Sequence, residues 1–82
     1  DHIFDYIEID DQHAIFEVEV PESWVGKSVG ELDIRKKFGI NILGIKRSGK
    51  TDVSITSDTV LTKDITILAL GEYKALQRCF RI

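Results

Sequence analysis

Residues 28–39, SVGELDIRKKFG, carry the strongest local structural signal in the chain. Ser28 and Glu31 form the S-x-x-E pattern of a capping box, in which each residue satisfies a free amide at the start of a helix. Acidic residues come early and basic residues come late, which complements the helix dipole. Gly39 then supplies a left-handed C-terminal cap. The segment therefore predicts one α-helix between Ser28 and Gly39.

The apolar residues of this predicted helix do not form one stripe. At about 100° per residue, Val29 and Leu32 share one face, whereas Ile34 and Phe38 lie well round from them. A helix with two apolar sides needs two partners. We expect one to be the protein's own sheet and the other to be a second surface.

Strands are predicted on both sides of the helix, because short apolar or alternating runs are bounded by polar turns. The predicted strands are FDYIEID at 4–10, AIFEVEV at 14–20, INILGIKR at 40–47, TDVSIT at 51–56 and ITILAL at 65–70. A second helix is predicted in EYKALQRCFRI at 72–82. The order β-β-α-β-β-β-α predicts an α+β fold with a small mixed sheet and two helices.

Composition limits the classes of function. The 82 residues are predicted to form one domain, and the absence of Met and the start at Asp1 suggest a fragment of a longer protein. A net charge of −3 argues against binding to DNA or RNA. The apolar runs are too short for direct membrane insertion. The single cysteine, Cys79, is compatible with a reducing, cytoplasmic setting.

The octet GIKRSGKT at 44–51 matches the phosphate-loop pattern G-x-x-x-x-G-K-S/T. A true phosphate loop needs a helix that starts at the Lys-Thr pair. Here Lys50 is followed by DVSIT, whose β-branched residues disfavour a helix. Ser48 and Gly49 instead have the character of a hairpin turn, with Gly49 at positive φ. We therefore interpret the octet as a hairpin.

The remaining candidate groups have simpler interpretations. Asp10, Asp11 and His13 have metal-ligand chemistry, but three polar residues in a turn are more typical of a solvated turn, so no metal is predicted. Cys79 is interpreted as a packing residue, and His2 carries no functional interpretation. No catalytic set can be assembled from these residues, and the chain is not predicted to be an enzyme.

The segment VGELDIRKKFGINI at 29–42 offers a small-molecule site. Its polar residues Asp33, Arg35 and Asn41 fall beside Ile34 and Ile42, which are expected to be exposed, and such convergence is typical of binding pockets. The alternative is that Ile34 packs in the core and Arg35 is solvated, which composition alone favours.

Two stretches, VGKSVGELDIRKKFGINILGIKRSGK at 25–50 and LTKDITILALGE at 61–72, carry a resemblance that extends over nearly the whole chain. They resemble the C-terminal regulatory (TrkA-C) domain of RCK proteins, the gating subunits of bacterial potassium uptake systems, in which glycine is usual where this chain has Lys63. The opening DHIFDYIEIDDQHAIFEVEV most resembles the Ktr-type members. The resemblance implies a cytoplasmic homodimer, joined to a nucleotide-binding domain that is not part of this sequence, which controls a membrane potassium transporter through a gating ring.

In Ktr-type members the dimer binds cyclic di-AMP on its two-fold axis, and no other cofactor is implied. Arg35 would bind phosphate, Ile34 and Ile42 would cover the adenines, and Asp33 would accept a hydrogen bond from an adenine amino group. Carried over position by position, the ligand contacts would be Val29, Gly30, Asp33, Ile34, Arg35, Asn41 and Ile42.

The chain departs from the Ktr-type pattern after the predicted fourth strand. Those members carry V-S-P and further prolines, whereas this chain has VSITSD at 53–58. A ligand wall built from proline is therefore changed, and Ile55 is the expected replacement. The alternative function is a ligand-free dimerisation module of a potassium transporter or another cation transporter or antiporter.

Overall fold

The computed structural model describes residues 3–82; Asp1 and His2 lie outside the described residues. Five strands form one sheet, and helical segments cover one of its faces. The strands are β1 (Ile3–Glu8), β2 (His13–Glu19), β3 (Asn41–Arg47), β4 (Lys50–Asp52) and β5 (Thr66–Glu72). The helices are α1 (Val29–Leu32), α2 (Ile34–Phe38) and α3 (Tyr73–Phe80), with a short 3₁₀ turn at Glu22–Trp24. The α+β fold and its element order are confirmed.

The sheet has the order β1-β2-β5-β3-β4, and all four pairings are antiparallel. The expected mixed sheet is therefore wrong in this detail. Strands β2 and β3 do run parallel to each other, as strands joined by a helical crossover usually do. They are not neighbours, because β5 lies between them and is antiparallel to both.

The predicted helix at 28–39 is two short helices that meet at Asp33. Both of its predicted ends are confirmed: Ser28 and Glu31 form the complete capping box, and Gly39 ends α2 in the left-handed region. The break comes from Asp33, whose φ of 52° and ψ of 45° end α1 and start α2. Asp tolerates this left-handed conformation better than most residues.

One face of β2 and β5 forms the core against the helices. Phe16, Val18 and Val20 are buried, as the alternation of β2 predicts, and the intervening side chains are more exposed. An aromatic cluster closes the end of the core: Trp24 packs edge-on against Phe80, with ring centroids 5.5 Å apart. The other buried core residues are Ala14, Ile34, Ile40, Ile45, Leu61, Ile65, Ile67, Ala69, Ala75 and Leu76.

The predicted strand at 51–56 is shorter and earlier than expected. Strand β4 covers only Lys50–Asp52. The carboxylate of Asp52 accepts hydrogen bonds from the amide and the hydroxyl of Ser54, at 2.9 and 2.7 Å. This local turn competes with a sheet ladder and ends the strand, so Val53 stays exposed.

Helix α3, which the sequence predicts within 72–82, packs back onto the sheet through buried Ala75, Leu76 and Phe80. It ends at Arg81, which adopts a left-handed conformation. No helix within residues 3–82 has the length and apolar character needed to cross a bilayer.

Candidate ligand-binding cleft

A cleft of about 320 Å³ lies where α1, α2, the start of β3 and the loop at 55–57 meet. Every residue that the sequence predicts for the ligand site lines this cleft. These seven residues are Val29, Gly30, Asp33, Ile34, Arg35, Asn41 and Ile42. Four further residues complete the lining: Ile40, Ile55, Thr56 and Ser57. The fold therefore brings the predicted residues together at one place.

A hydrogen bond between two side chains orients the cationic group of the cleft. Arg35, on exposed α2, donates from Nε to the Oδ1 atom of Asn41 at 2.7 Å. Asn41 is itself held in β3, opposite Leu70 of β5. Because guanidinium has five donor positions, this contact leaves other N–H groups of Arg35 for an anion. A sheet residue thus sets the direction of a helix side chain.

The anionic group of the cleft sits at the helix break. The Asp33 amide donates to the Gly30 carbonyl at 3.1 Å, and the Asp33 carbonyl accepts from the Lys37 amide at 2.9 Å. Its backbone therefore belongs to both helices, while its side chain is exposed. An ionised carboxylate can only accept hydrogen bonds, so Asp33 suits a ligand group that donates, such as an amine.

The loop that forms the far wall is tied to the start of α1. The Val29 amide donates to Thr59 at 2.9 Å, and the Gly30 amide donates to Ser57 at 2.8 Å, both to backbone carbonyls. A Cβ atom on Gly30 would lie only 2.9 Å from both the Cβ and the carbonyl oxygen of Ser57. Gly30 is therefore needed for the wall to approach this closely.

These bonds also mean that the first amides of α1 already have partners. The amide of Glu31 is satisfied by the Ser28 hydroxyl at 3.2 Å, within the capping box. The start of α1 is thus bound to protein groups, and Arg35 is the cleft's group for an anion.

The expectation that Ile34 is exposed is wrong. Its side chain is only 2% exposed and belongs to the core. The break at Asp33 changes the rotation between α1 and α2, so the spacing rule for one continuous helix does not hold across it. The apolar surface available to a ligand comes from Val29, Ile42 and Ile55, which are half-buried. Ile55 lines the cleft, which agrees with the expectation that it replaces the proline of the Ktr-type ligand wall.

Sequence reasoning missed Ile40, Thr56 and Ser57 as lining residues. Ile40 is a buried core residue that also borders the cleft. One signal for Ser57 was available: a glycine within a helix costs about 1 kcal/mol relative to alanine, which points to a packing reason. That reason is the contact between Gly30 and Ser57.

The phosphate-loop match at 44–51 is a hairpin, as interpreted. Strands β3 and β4 flank Ser48 and Gly49, whose φ angles are 52° and 77°. Two consecutive positive φ angles are characteristic of a tight two-residue hairpin turn. Lys50 begins β4, so it does not sit at the start of a helix.

The polar turn before β2 is held together by Asp10. Its carboxylate accepts from the amides of Gln12 and His13, both at 2.8 Å, and from His13 Nδ1 at 2.9 Å. The hydrogen bond from Gln12 is the main cause of the lowered pKa of Asp10, and the hydrogen bond to Asp10 raises the pKa of His13. Among residues 3–82, no group of three or more metal-ligating side chains comes together.

The thiol of Cys79 is half-buried on α3. Burial raises its pKa to about 11, so it is protonated at neutral pH. A thiol is a weak nucleophile in this state, which agrees with a packing role.

A model of the TrkA-C domain family matches residues 14–82. The chain is 30% identical over 77 residues to Ktr system potassium uptake protein C of Bacillus subtilis (strain 168). It is 26% identical over 78 residues to Ktr system potassium uptake protein A of the same organism. The matches cover 94% and 95% of this chain but only 35% of each relative. A third relative, the uncharacterized transporter YfbS of Escherichia coli (strain K12), is 39% identical over 59 residues, or 70% of this chain and 10% of that protein.

Two solved structures share the fold. One is the RCK C domain of the potassium transport protein KtrA in complex with cyclic diadenosine monophosphate, with a TM-score of 0.78 and 32% identity. That match covers 87% of this chain and 84% of the other. The second is the GsuK RCK domain, with a TM-score of 0.77 and 26% identity, covering 92% of this chain and 16% of the other.

Proposed function

Because the chain belongs to the TrkA-C domain family, we propose that it is a ligand-sensing regulatory domain of a potassium uptake system that binds cyclic di-AMP in the cleft. The observation that carries the proposal is the gathering of all seven predicted contact residues in one cleft. The similar KtrA domain, which was solved with this dinucleotide, supports the choice of ligand.

The cleft's chemistry suits one half of the ligand. Arg35, oriented by Asn41, provides charge-assisted and forked hydrogen bonds to a phosphate. Ile42 and Ile55 provide apolar surface for an adenine ring, and the exposed carboxylate of Asp33 accepts from its amino group. These three kinds of group line a single cleft, so one adenylate unit can meet all of them.

The size of the cleft argues for two subunits per ligand. At about 320 Å³ it lies at the lower end of the range for pockets that enclose a whole small molecule, roughly 300–1,000 Å³. A cyclic dinucleotide is itself two-fold symmetric, so each half can occupy the cleft of one subunit in an isologous homodimer. Each subunit then contributes one Arg35 to the ligand.

The regulation follows from linkage. A ligand that binds one dimer arrangement more tightly shifts the population toward that arrangement. The free energy of this shift is at most the difference between the binding free energies of the two arrangements. This chain spans 35% of the length of the two curated Ktr relatives. We propose that the domain acts within a longer cytoplasmic subunit, whose gating ring passes the shift to a membrane potassium transporter.

Calorimetry on the purified chain tests the proposal. Titration with cyclic di-AMP is expected to show one ligand per two chains. Cyclic di-GMP is the matched control, because its base presents a carbonyl oxygen where adenine presents the amino group that Asp33 would bind. A chain that binds neither dinucleotide, or both equally well, contradicts the proposed ligand.

The second candidate is a dimerisation module that binds no ligand. It is favoured by the wall at 55–57, which is built from Ile55, Thr56 and Ser57 in place of the expected proline. Sedimentation distinguishes the two functions: a tight dimer whose dissociation constant does not change with added cyclic di-AMP supports the second and contradicts the first.

A further inference from the structure

The two edges of the described sheet differ in how they are protected. Strand β4 at one edge is only three residues long and is polar, and both properties discourage pairing with another chain. Strand β1 at the other edge has six residues. It exposes Phe4 and Ile7 at 60% and 61%, and Tyr6 at 57%. An edge this long and apolar is a ready template for an added strand.

The hydrogen bonds identify which groups of β1 face outward. Ile9 donates to His13 at 2.9 Å, so alternation along an antiparallel pair places the Tyr6 and Glu8 peptide groups on the open side. The Tyr6 amide confirms this direction, because it donates to the carboxylate of Asp5 at 2.8 Å. An incoming strand's carbonyl would therefore have to displace the exposed Asp5 carboxylate from this edge donor.

Charge decides what kind of strand fits. Residues 1–20 contain seven Asp and Glu residues and no Lys or Arg, whereas all 11 Lys and Arg residues follow residue 20. Asp5 and Glu8 lie on β1 itself. Pairing β1 with the β1 of a second copy would bring two acidic edges together, which is unfavourable for directly opposed like charges. A basic strand gains from the same charges.

We propose that β1 is a docking edge for an extended peptide segment in which apolar residues alternate with Lys or Arg. The segment adds a sixth strand by pairing with the Tyr6 and Glu8 peptide groups, which is recognition by strand addition. Asp5 and Ile7 point to one face of the sheet, and Tyr6 and Glu8 point to the other. The cations of the segment therefore meet Glu8 on one face, and its apolar side chains cover Ile7 on the other. No residue of β1 lines the dinucleotide cleft, so this role is separate from ligand binding there.

A labelled eight-residue peptide of alternating valine and lysine is a suitable probe. Fluorescence anisotropy with the full 82-residue chain is expected to show saturable binding that weakens with salt. The acidic counterpart, alternating valine and glutamate, is expected not to bind. Equal binding of the two peptides, or no binding of the basic one at millimolar concentration, overturns the proposal.

Two substitutions at one position separate backbone pairing from charge. Glu8→Pro removes an outward amide without removing a ladder bond to β2, and is expected to weaken binding at least about tenfold. Glu8→Gln keeps the amide and removes the charge, so a loss of about two- to fivefold is expected. A Glu8→Pro chain that melts like the wild type and binds as well as Glu8→Gln contradicts strand addition.

Amide chemical shifts give a measurement that needs no variant. On addition of the basic peptide to the wild-type chain, the amides of Tyr6 and Glu8 are expected to shift and to exchange more slowly with solvent. Changes confined to β4 place the peptide on the other edge and overturn the proposal. Self-association of the chain in the absence of peptide that Glu8→Pro abolishes contradicts it as well, because β1 would then be occupied by a second copy.

Discussion

The missing side chain of Gly30 sets the distance between α1 and the wall of the cleft. A Cβ atom there would lie 2.9 Å from the Ser57 carbonyl oxygen, which accepts the Gly30 amide. Gly30→Ala is therefore expected to destabilise the fold by about 1–3 kcal/mol, the usual cost of overpacking. Urea denaturation measures the change in the free energy of unfolding.

The direction of that change is diagnostic. Helix propensity alone favours alanine over glycine by about 1 kcal/mol, so a stabilised Gly30→Ala chain contradicts the tight contact with Ser57. Lys36→Ala on exposed α2 is the control for an ordinary helix-surface substitution, and is expected to change stability by less than about 0.5 kcal/mol.

Asp10 and His13 form a pH-dependent pair in the first turn. The hydrogen bond to Asp10 raises the pKa of His13, so its stabilisation is complete below the unfolded pKa near 6.5 and is lost as pH rises through the folded pKa. The lowered pKa of Asp10 adds stability that is complete above the ordinary pKa of 3.8 and is lost as pH falls through the folded pKa. The pair therefore stabilises the turn most in mildly acidic solution.

Asp10→Asn is expected to lower the pKa of His13 toward its ordinary value and to flatten the pH dependence of stability near neutrality. An NMR titration of the imidazole resonances measures the pKa. Asp11→Asn is the matched control and is expected to give a smaller decrease, because Asp11 acts only through its charge. Equal decreases in the two variants contradict a specific hydrogen bond.

Residue types in the 29–42 segment were enough to predict the cleft's polar groups, because carboxylate, guanidinium and amide side chains carry their chemistry with them. They were not enough to predict the exposure of Ile34. The exposure of Ile34 depends on the backbone angles of Asp33, which break the helix. The order of apolar and polar residues in this segment is the same for a continuous helix and for a broken one.

The capping box is the best-supported local feature of α1. The Ser28 hydroxyl accepts from Glu31, and the Glu31 carboxylate accepts from the Ser28 amide at 2.8 Å. Helix α1 has only four residues, so its geometry depends on such contacts more than on helix propensity. Ser28→Ala is expected to lower the free energy of unfolding by about 1 kcal/mol, as chemical denaturation would show.

Ser28→Thr is the conservative control, since threonine keeps the hydroxyl acceptor, and it is expected to recover most of the lost stability. A Ser28→Ala chain as stable as the wild type would show that the start of α1 is held by the backbone hydrogen bonds between residues 26–30 and 57–61 rather than by the cap.

Elements were predictable where local chemistry dominates. The cap at Ser28, the end at Gly39 and the hairpin turn at Gly49 each follow from one or two residues. The errors at Asp33 and Asp52 share a cause: a short acidic side chain permits or stabilises a local turn that interrupts a longer regular element.

The arrangement of the sheet lies beyond local patterns. That β5 inserts between β2 and β3 is a pairing of segments far apart in sequence, and alternation alone does not choose strand neighbours. The same long-range packing brings the loop at 55–57 against α1 and completes the cleft. The resemblance to a known family, rather than periodicity, is what linked the seven cleft residues to one ligand.

The central claim is that the cleft binds a cyclic dinucleotide through Arg35, and its most direct test is the affinity of the Arg35→Ala chain for cyclic di-AMP. Lys36→Ala is the matched control, because it removes a neighbouring cation of α2 that does not line the cleft. Calorimetry is expected to show a loss of at least about 1.5–3 kcal/mol for Arg35→Ala, the value of a charged hydrogen bond, and almost none for Lys36→Ala. Wild-type affinity in the Arg35→Ala chain, or an equal loss in both variants, would contradict the proposed site.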